Sequence, residues 1–316
     1  MRALVTGGAG FIGSNLVDGL LDRCDEVTVI DNLSSGRADN LASARERGIE
    51  FFDQDIRDGE ALKRIFAGTR PDIVFHLAAQ IDVRKSIEDP AFDATVNVIG
   101  TINVLEAARS SGVKRVVNTS TGGAIYGEAE VMPTPETVTP KPMSAYGQSK
   151  YCAERYCGWY ERLYDLSAVT LRYGNVYGPR QDPHGEAGVI AIFAGRALEG
   201  RPPVVFGDGR QTRDYTFVGD IVAANLAAAA HPEAHGEYNV GTGVESSVLE
   251  VIAALREAVG VSEDGLRPEF RPPRTGELQR SSLDVSRAKA ELGFTAGTSL
   301  VEGMRATLGA LRTQVG

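Results

Sequence analysis

The chain has 316 residues, 42% of them hydrophobic and 24% charged, with a formal net charge of -9. That length suffices for one large domain or two modest ones around real cores. The acidic balance, with no Lys/Arg run, excludes a nucleic-acid surface.

No stretch is apolar for long enough to span a bilayer, and Met1 leads straight into an apolar run without the layout of a signal peptide, so no membrane association is expected. Three cysteines, Cys24, Cys152 and Cys157, give an odd number and no CxxC spacing, and the histidines His76, His184, His231 and His235 form no ligand-like cluster. His184 beside Asp182 reads as a solvated loop rather than a metal site. A cytoplasmic, reducing, metal-free protein is expected.

Arg2–Thr6 predicts a short apolar strand running into Gly7, Gly10, Phe11, Ile12 and Gly13, then a helical pattern through Leu21. Glycines between a strand and a helix allow a tight turn and let backbone approach a pyrophosphate, which the helix N-terminus stabilises. Glu26–Ile30 is the second strand, with Asp31 at its end, eighteen positions past Gly13. That is close to the spacing of an acid that holds an adenosine ribose, and a carboxylate there repels a 2′-phosphate, favouring NAD over NADP. The bland readings are a plain strand-turn-helix and a strand-end turn Asp.

The alternation continues with a strand at Glu50–Phe52, then Asp55-Ile56, where a carboxylate could meet an adenine amino group. A helix follows over Ala61–Phe66, then a strand over Asp72–Leu77 ending in Ala78-Ala79-Gln80, small residues against which a dinucleotide could lie. One long helix is predicted over Ala91–Ser111, carrying Asn97. A strand over Lys114–Ser120, a helix over Tyr146–Tyr164 and a strand over Ser167–Arg172 complete the series. Strands alternating with helices predict an α/β fold, a doubly wound parallel sheet of the Rossmann type with both faces covered. Ligands in such sheets sit at the carboxyl ends of the strands.

Past Asn175 the pattern turns irregular, with short helices near Val189–Leu198, Gly219–Ala230, Leu249–Val259, Val285–Leu292 and Leu300–Leu311, and a rigid surface segment at Pro268–Arg274. A smaller mixed α/β lobe is expected, formed by residues 176–211 and 241–316, with 212–240 returning to the dinucleotide-binding domain of residues 1–175.

Tyr146 and Lys150 stand four apart, so on a helix both leave the same face. A phenol titrates near 10, and bringing it to neutrality takes about 4 kcal/mol. An ammonium about 4 Å away at an effective dielectric of about 20 supplies that much. By itself this spacing is common; the rest of the chain gives it weight.

Together the glycine loop, Asp31, Thr121 with Tyr126-Gly127, and Tyr146-x-x-x-Lys150 resemble an extended short-chain dehydrogenase/reductase. Asp31-Asn32-Leu33-Ser34-Ser35-Gly36, the run Ser120–Gly127, the run Leu171–Arg180 and Arg213-Asp214-Tyr215 narrow the resemblance to the UDP-glucose 4-epimerase branch, and it extends essentially end to end.

The resemblance implies an isomerase that inverts C4 of a UDP-hexose through a 4-keto sugar on tightly held NAD, with Tyr146 as base and Lys150 holding the ribose and lowering the phenol's pKa. It implies that Gly7, Gly10, Phe11, Ile12, Gly13, Asp31, Asn32, Asp55, Ile56, Leu77, Ala78, Ala79, Gln80, Asn97 and Tyr173, with Tyr146 and Lys150, contact the cofactor. Thr121, with Ser120 second, is the implied assisting hydroxyl, because the family's usual position falls on Gly122. Asn175, Val189, Arg213, Arg274, Glu277 and Ser281 are the implied substrate residues, and a homodimer through the two long helices is implied as well. Ser281 stands where some members carry Tyr, which predicts room for a 2-acetamido group. A 4,6-dehydratase is disfavoured because Gly122-Gly123, not Asp-Glu, follow Thr121. A UDP-glucuronate epimerase and a catalytically silent dinucleotide sensor rank lower.

Overall fold

A computed structural model describes residues 1–183, 188–274 and 278–315. The strand β1 (Arg2–Thr6) lies inside a seven-stranded parallel sheet, third from one edge. On one side it pairs with β2 (Glu26–Asp31), which pairs with β3 (Glu50–Asp53). On the other it pairs with β4 (Ile73–His76), followed by β5 (Arg115–Thr121), β6 (Ser167–Tyr173) and a seventh strand, Gly236–Val240. The chain therefore reverses direction across the sheet between β1 and β4, and that switch point opens a crevice at the strands' carboxyl ends.

Alternation along β1 sends Ala3 and Val5 to one face and Leu4 to the other. The first face packs under Leu16, Val17 and Leu20 of the helix Phe11–Asp22 and under Ile221, Ala224 and Ala228 of the helix Val218–Ala230. The second packs under Leu62 and Phe66 of Gly59–Thr69, Val104 and Leu105 of Gly100–Ser110, and Cys157 and Tyr160 of Ala145–Tyr164. A third apolar cluster joins Ile190, Phe193, Val205, Val251, Ile252, Leu255, Met304 and Leu308, all beyond β6.

Two expectations are refined. The helix predicted over Ala91–Ser111 runs unbroken from Pro90 to Ser110 but is not α-helical throughout. Pro90–Ala94 and Gly100–Ser110 are α-helical, but between them Thr95–Ile99 widens into a π-turn that buries Asn97. Such turns re-aim side chains, often at functional sites. The surface segment Pro268–Arg274 contains a strand, Glu269–Arg271, paired in parallel with Val204–Phe206; its prolines flank the pairing residues. The strand Gly236–Val240, not among the expected strands, joins the sheet in parallel beside β6.

Candidate active site

The glycine loop is held by contacts that only glycines permit. Gly7 has φ of 72°, and a Cβ there would lie 2.6 Å from the Ala78 backbone nitrogen. A Cβ on Gly13 would collide with the Gly7 carbonyl oxygen. β1, the loop after β4 and the first helix thus meet backbone to backbone. The helix Phe11–Asp22 begins without a side-chain cap, so the N–H groups of its first turn face the crevice as the donors an anion requires.

Asp31 closes the other wall. Its Oδ2 accepts from Ala9 N at 2.9 Å and its Oδ1 from Leu33 N at 2.8 Å, and burial raises its pKa. Each oxygen retains a lone pair for a ribose hydroxyl. Asn32 donates to Asp55 Oδ2 at 2.8 Å, and Arg57 donates to both Asp55 oxygens at 2.9 and 2.8 Å. That guanidinium holds the Asp55 carboxyl down at about 2. Its charge is already paired, so an adenine near Asp55 would meet an occupied carboxylate. Ile56 is buried under Gly100.

The loop Leu77-Ala78-Ala79-Gln80 is fixed by a bracing network absent from the sequence reading. Asn97 donates to Gln80 O and accepts from Gln80 N, both at 2.9 Å. Buried His76 lies beneath, with Nδ1 2.7 Å from Thr6 Oγ1 and Nε2 3.0 Å from Thr101 Oγ1. Thr101 gives its own hydrogen to Asn97 O at 2.6 Å, so His76 Nε2 must be the donor. Thr6 accepts from Ala78 N at 3.3 Å and hydrogen-bonds Nδ1. Burial, aided by the Lys150 charge, holds His76 down at about 3, so the imidazole is neutral, and the bond to Thr101 places its hydrogen on Nε2.

Tyr146 and Lys150 open the helix Ala145–Tyr164, which Ser144 caps by accepting from Gly147 N at 3.1 Å. Tyr146 N also donates to Ser86 Oγ at 3.1 Å. The Thr121 side chain hydrogen-bonds the Tyr146 phenol and lowers its pKa, but burial outweighs this and pushes the phenol up to about 12. Lys150 is 2% exposed, and burial drags its ammonium down to about 8. The expected lowering of the phenol by Lys150 is therefore not seen: burial first, then the Asp93 charge, raise it, and Thr121 alone opposes them.

Thr121 reaches Tyr146 because Gly122 cannot carry the hydroxyl. A Cβ at Gly122 would lie 2.6 Å from both methyls of Leu283. Ser120 Oγ is buried without a hydrogen-bond partner. Asn175 Oδ1 is also buried and unpartnered, 3.3 Å from where a Gly123 Cβ would stand. Tyr173 presents no free hydroxyl: its OH is bonded to Thr119 and Asn225 within the core.

Asn175 also lines a cavity of about 500 Å³ together with Val189, Phe206, Arg213, Arg271 and Arg274. The Arg274 guanidinium stacks 4.0 Å over the Phe206 ring, and Arg213 donates to Thr212 O at 2.8 Å. Ser281 is buried beside Leu283 in sequence, and Glu277 and His184 lie outside the described residues. Among the described residues no group of His, Cys, Asp or Glu side chains is arranged to hold a metal, and no helix is long and apolar enough to cross a membrane.

The crevice fits a dinucleotide: an uncapped helix start, glycines whose missing Cβ atoms leave backbone exposed, and a ribose-facing carboxylate converge at the switch point. Comparison with known proteins agrees. The model of the NAD dependent epimerase/dehydratase family matches residues 3–241. The UDP-glucose 4-epimerase of Mycolicibacterium smegmatis is 50% identical over 309 residues, covering 98% of this chain and 97% of that one. The crystal structure of the Thermotoga maritima UDP-glucose 4-epimerase with UDP-glucose superposes with a TM-score of 0.94 at 46% identity, over 100% of both chains. That of the Thermus thermophilus enzyme with NAD gives 0.89 at 46% identity, over 99% of both. A glycine-lined crevice, a Tyr/Lys pair on one helix and end-to-end similarity thus assign this chain to the NAD dependent epimerase/dehydratase family.

Proposed function

We propose that this protein inverts C4 of a UDP-hexose, interconverting UDP-galactose and UDP-glucose. The observation that carries the reading is the placement of Tyr146 one helical turn from buried Lys150 on the helix Ala145–Tyr164, beside the strand end that carries Thr121. Bound NAD supplies the acceptor, and then the donor, of the C4 hydride, and its oxidised ring brings a positive charge that favours a phenolate.

The chain's own residues do the rest. Tyr146 Oη takes the proton of the C4 hydroxyl and later returns it to the alkoxide. Thr121 supplies the hydroxyl that lowers the phenol's pKa, with Ser120 behind it on the same strand end. Lys150 supplies the fixed cation, and its ammonium holds the cofactor ribose. Gly7, Gly10, Phe11, Ile12 and Gly13 cradle the pyrophosphate; Asp31 and Asn32 hold the adenosine side; Ala78 to Gln80, braced by Asn97, form the floor. Arg213 and Arg274 clamp the sugar-nucleotide diphosphate as guanidinium forks, with Asn175 between that cavity and Gly123.

Residues 1–175 with 212–240 are read as the dinucleotide-binding unit, and 176–211 with 241–316 as the sugar-nucleotide lobe; most of the third apolar cluster falls in the second, although Tyr215 joins it and Ala288, Leu292 and Phe294 pack with the sheet. A homodimer is supported by Phe92, Ile99, Trp159 and Leu163, large apolar side chains left exposed on the two long helical segments. Three free cysteines suit a reducing cytoplasm. Turnover of UDP-galactose, UDP-GalNAc, UDP-glucuronate and UDP-arabinose tests the assignment. Neutral hexoses should react fastest, and buried Ser281 predicts measurable UDP-GalNAc turnover. No turnover of UDP-GalNAc beside normal UDP-galactose turnover sinks the Ser281 argument, and no turnover of any sugar sinks the function.

A further inference from the structure

We propose that Asp214 is a positioning residue for the sugar-nucleotide site, a single buried carboxylate that fixes the segments carrying Arg213, Asn175 and Ser281 relative to one another. The inference rests on reading Arg213 and Asn175 as substrate contacts in the function proposed above.

In the run Arg213-Asp214-Tyr215 only the arginine has so far been given a task. Asp214 is 1% exposed. Its Oδ1 accepts from Thr242 N at 2.8 Å, from Thr242 Oγ1 at 2.7 Å and from Thr216 Oγ1 at 3.3 Å. Its Oδ2 accepts from Gly243 N at 3.0 Å and from Leu283 N at 3.3 Å. Both oxygens act as acceptors, which a carboxylate allows and an amide does not. The surrounding backbone closes tightly on the residue. A Cβ on Gly241 would lie 2.5 Å from Oδ2, and one on Gly174 would lie 2.8 Å from the Asp214 carbonyl oxygen.

Each bond leads toward the candidate site. The Asp214 carbonyl accepts from Asn175 N at 2.7 Å, and Tyr215–Phe217 then pairs in parallel with Asn175–Tyr177. Thr242 and Gly243 follow the seventh strand of the sheet, and their loop runs on into Ser246, which pairs with Arg213. Leu283 stands two positions after Ser281, and its methyls fill the space beside Gly122, next to Thr121. The strands involved are two or three residues long. Ladders that short are marginal by themselves, so side-chain bonds must hold their register. The donors to the carboxylate come from Thr216, Thr242, Gly243 and Leu283, and none of these belongs to the glycine loop, Asp31 or the Ala78–Gln80 floor. Loss of the carboxylate should therefore strike the sugar nucleotide and spare the dinucleotide.

Asp214→Asn tests this. It keeps the volume but puts an N–H where an acceptor stood, so at least two of the donors lose their partner whichever way the amide faces. Calorimetry with UDP alone, turnover of UDP-galactose and bound NAD per chain are read together. The Kd for UDP and the KM should each rise about tenfold or more, the scale of one lost hydrogen bond to a carboxylate, with NAD content as in the parent. Loosened packing alone would lower the melting temperature and the active fraction, yet leave the KM and UDP Kd of the remaining enzyme unchanged. If Asp214→Asn does not fold, Thr242→Val keeps the carboxylate and removes one hydroxyl, which donates to Asp214 and accepts from Val244 N. KM and UDP Kd should then rise about three- to tenfold, again with NAD retained. Unchanged KM and UDP Kd in the variant that folds, or NAD lost in step with UDP, overturns the proposal. A parent that binds UDP but turns over no sugar overturns the function proposed above and leaves the UDP Kd to decide on Asp214; a parent that binds no UDP overturns both.

Discussion

Tyr146 illustrates what one residue can and cannot announce. Its spacing from Lys150 was readable, but the balance of forces on its phenol was not. Burial and Thr121 oppose each other there, and the outcome depends on depth, which sequence does not encode. Replacing Tyr146 with Phe should leave melting unchanged and reduce kcat at least about 100-fold, the scale of lost acid-base catalysis; an unchanged rate would remove Tyr146 as the base. Asp31→Ala should weaken cofactor retention by about 10- to 100-fold, the worth of hydrogen bonds to a charged group. It should also loosen the loop, because the same carboxylate holds Ala9 and Leu33. Cofactor content on purification, beside the melting temperature, separates the two effects. The role of His76 could not be found from sequence: it lies in no motif that names it, and it matters through partners 25 and 70 positions away in the chain.

Elements were legible where their periodicity was long and clean. β1, the glycine turn and the helix Ala145–Tyr164 fall within a residue or two of expectation. The widening at Thr95–Ile99 was invisible because every residue across it tolerates a helix; the bonds Asn97 makes to Gln80 favour the wider turn. The end of β5 carries a testable packing argument. Gly122→Ser should destabilise by about 1–3 kcal/mol, since the new Cβ meets Leu283. Combined with Leu283→Ala, which opens that space, the loss should be smaller than the sum of the two singles; strict additivity in denaturant titrations would contradict the contact. Glu154→Gln probes the next turn of the catalytic helix. It leaves Arg172 buried and unmatched at 3% exposure, so a loss of about 3–5 kcal/mol is expected, and a loss under about 1 kcal/mol would show that the pair is not the anchor it resembles.

At the scale of the whole molecule, the parallel sheet creates a crevice at its switch point, and the segments past β6 place an arginine-lined cavity beside it. The first half of that plan was plain from the strand-helix alternation. The second was not, because its strands are two or three residues long and pair across large sequence gaps, as Val204–Phe206 does with Glu269–Arg271. Association is testable at this scale: light scattering should show a dimer, and Trp159→Glu or Leu163→Glu should shift it toward monomer, whereas a monomeric parent contradicts the dimer. The central claim is that a hydride leaves C4 and returns to the same carbon without escaping. The direct measurement is conversion of UDP-galactose carrying deuterium at C4, by purified protein with no NAD added. The account predicts UDP-glucose with the label fully retained at C4; washout of the label, or no conversion by protein shown to contain bound NAD, would contradict it.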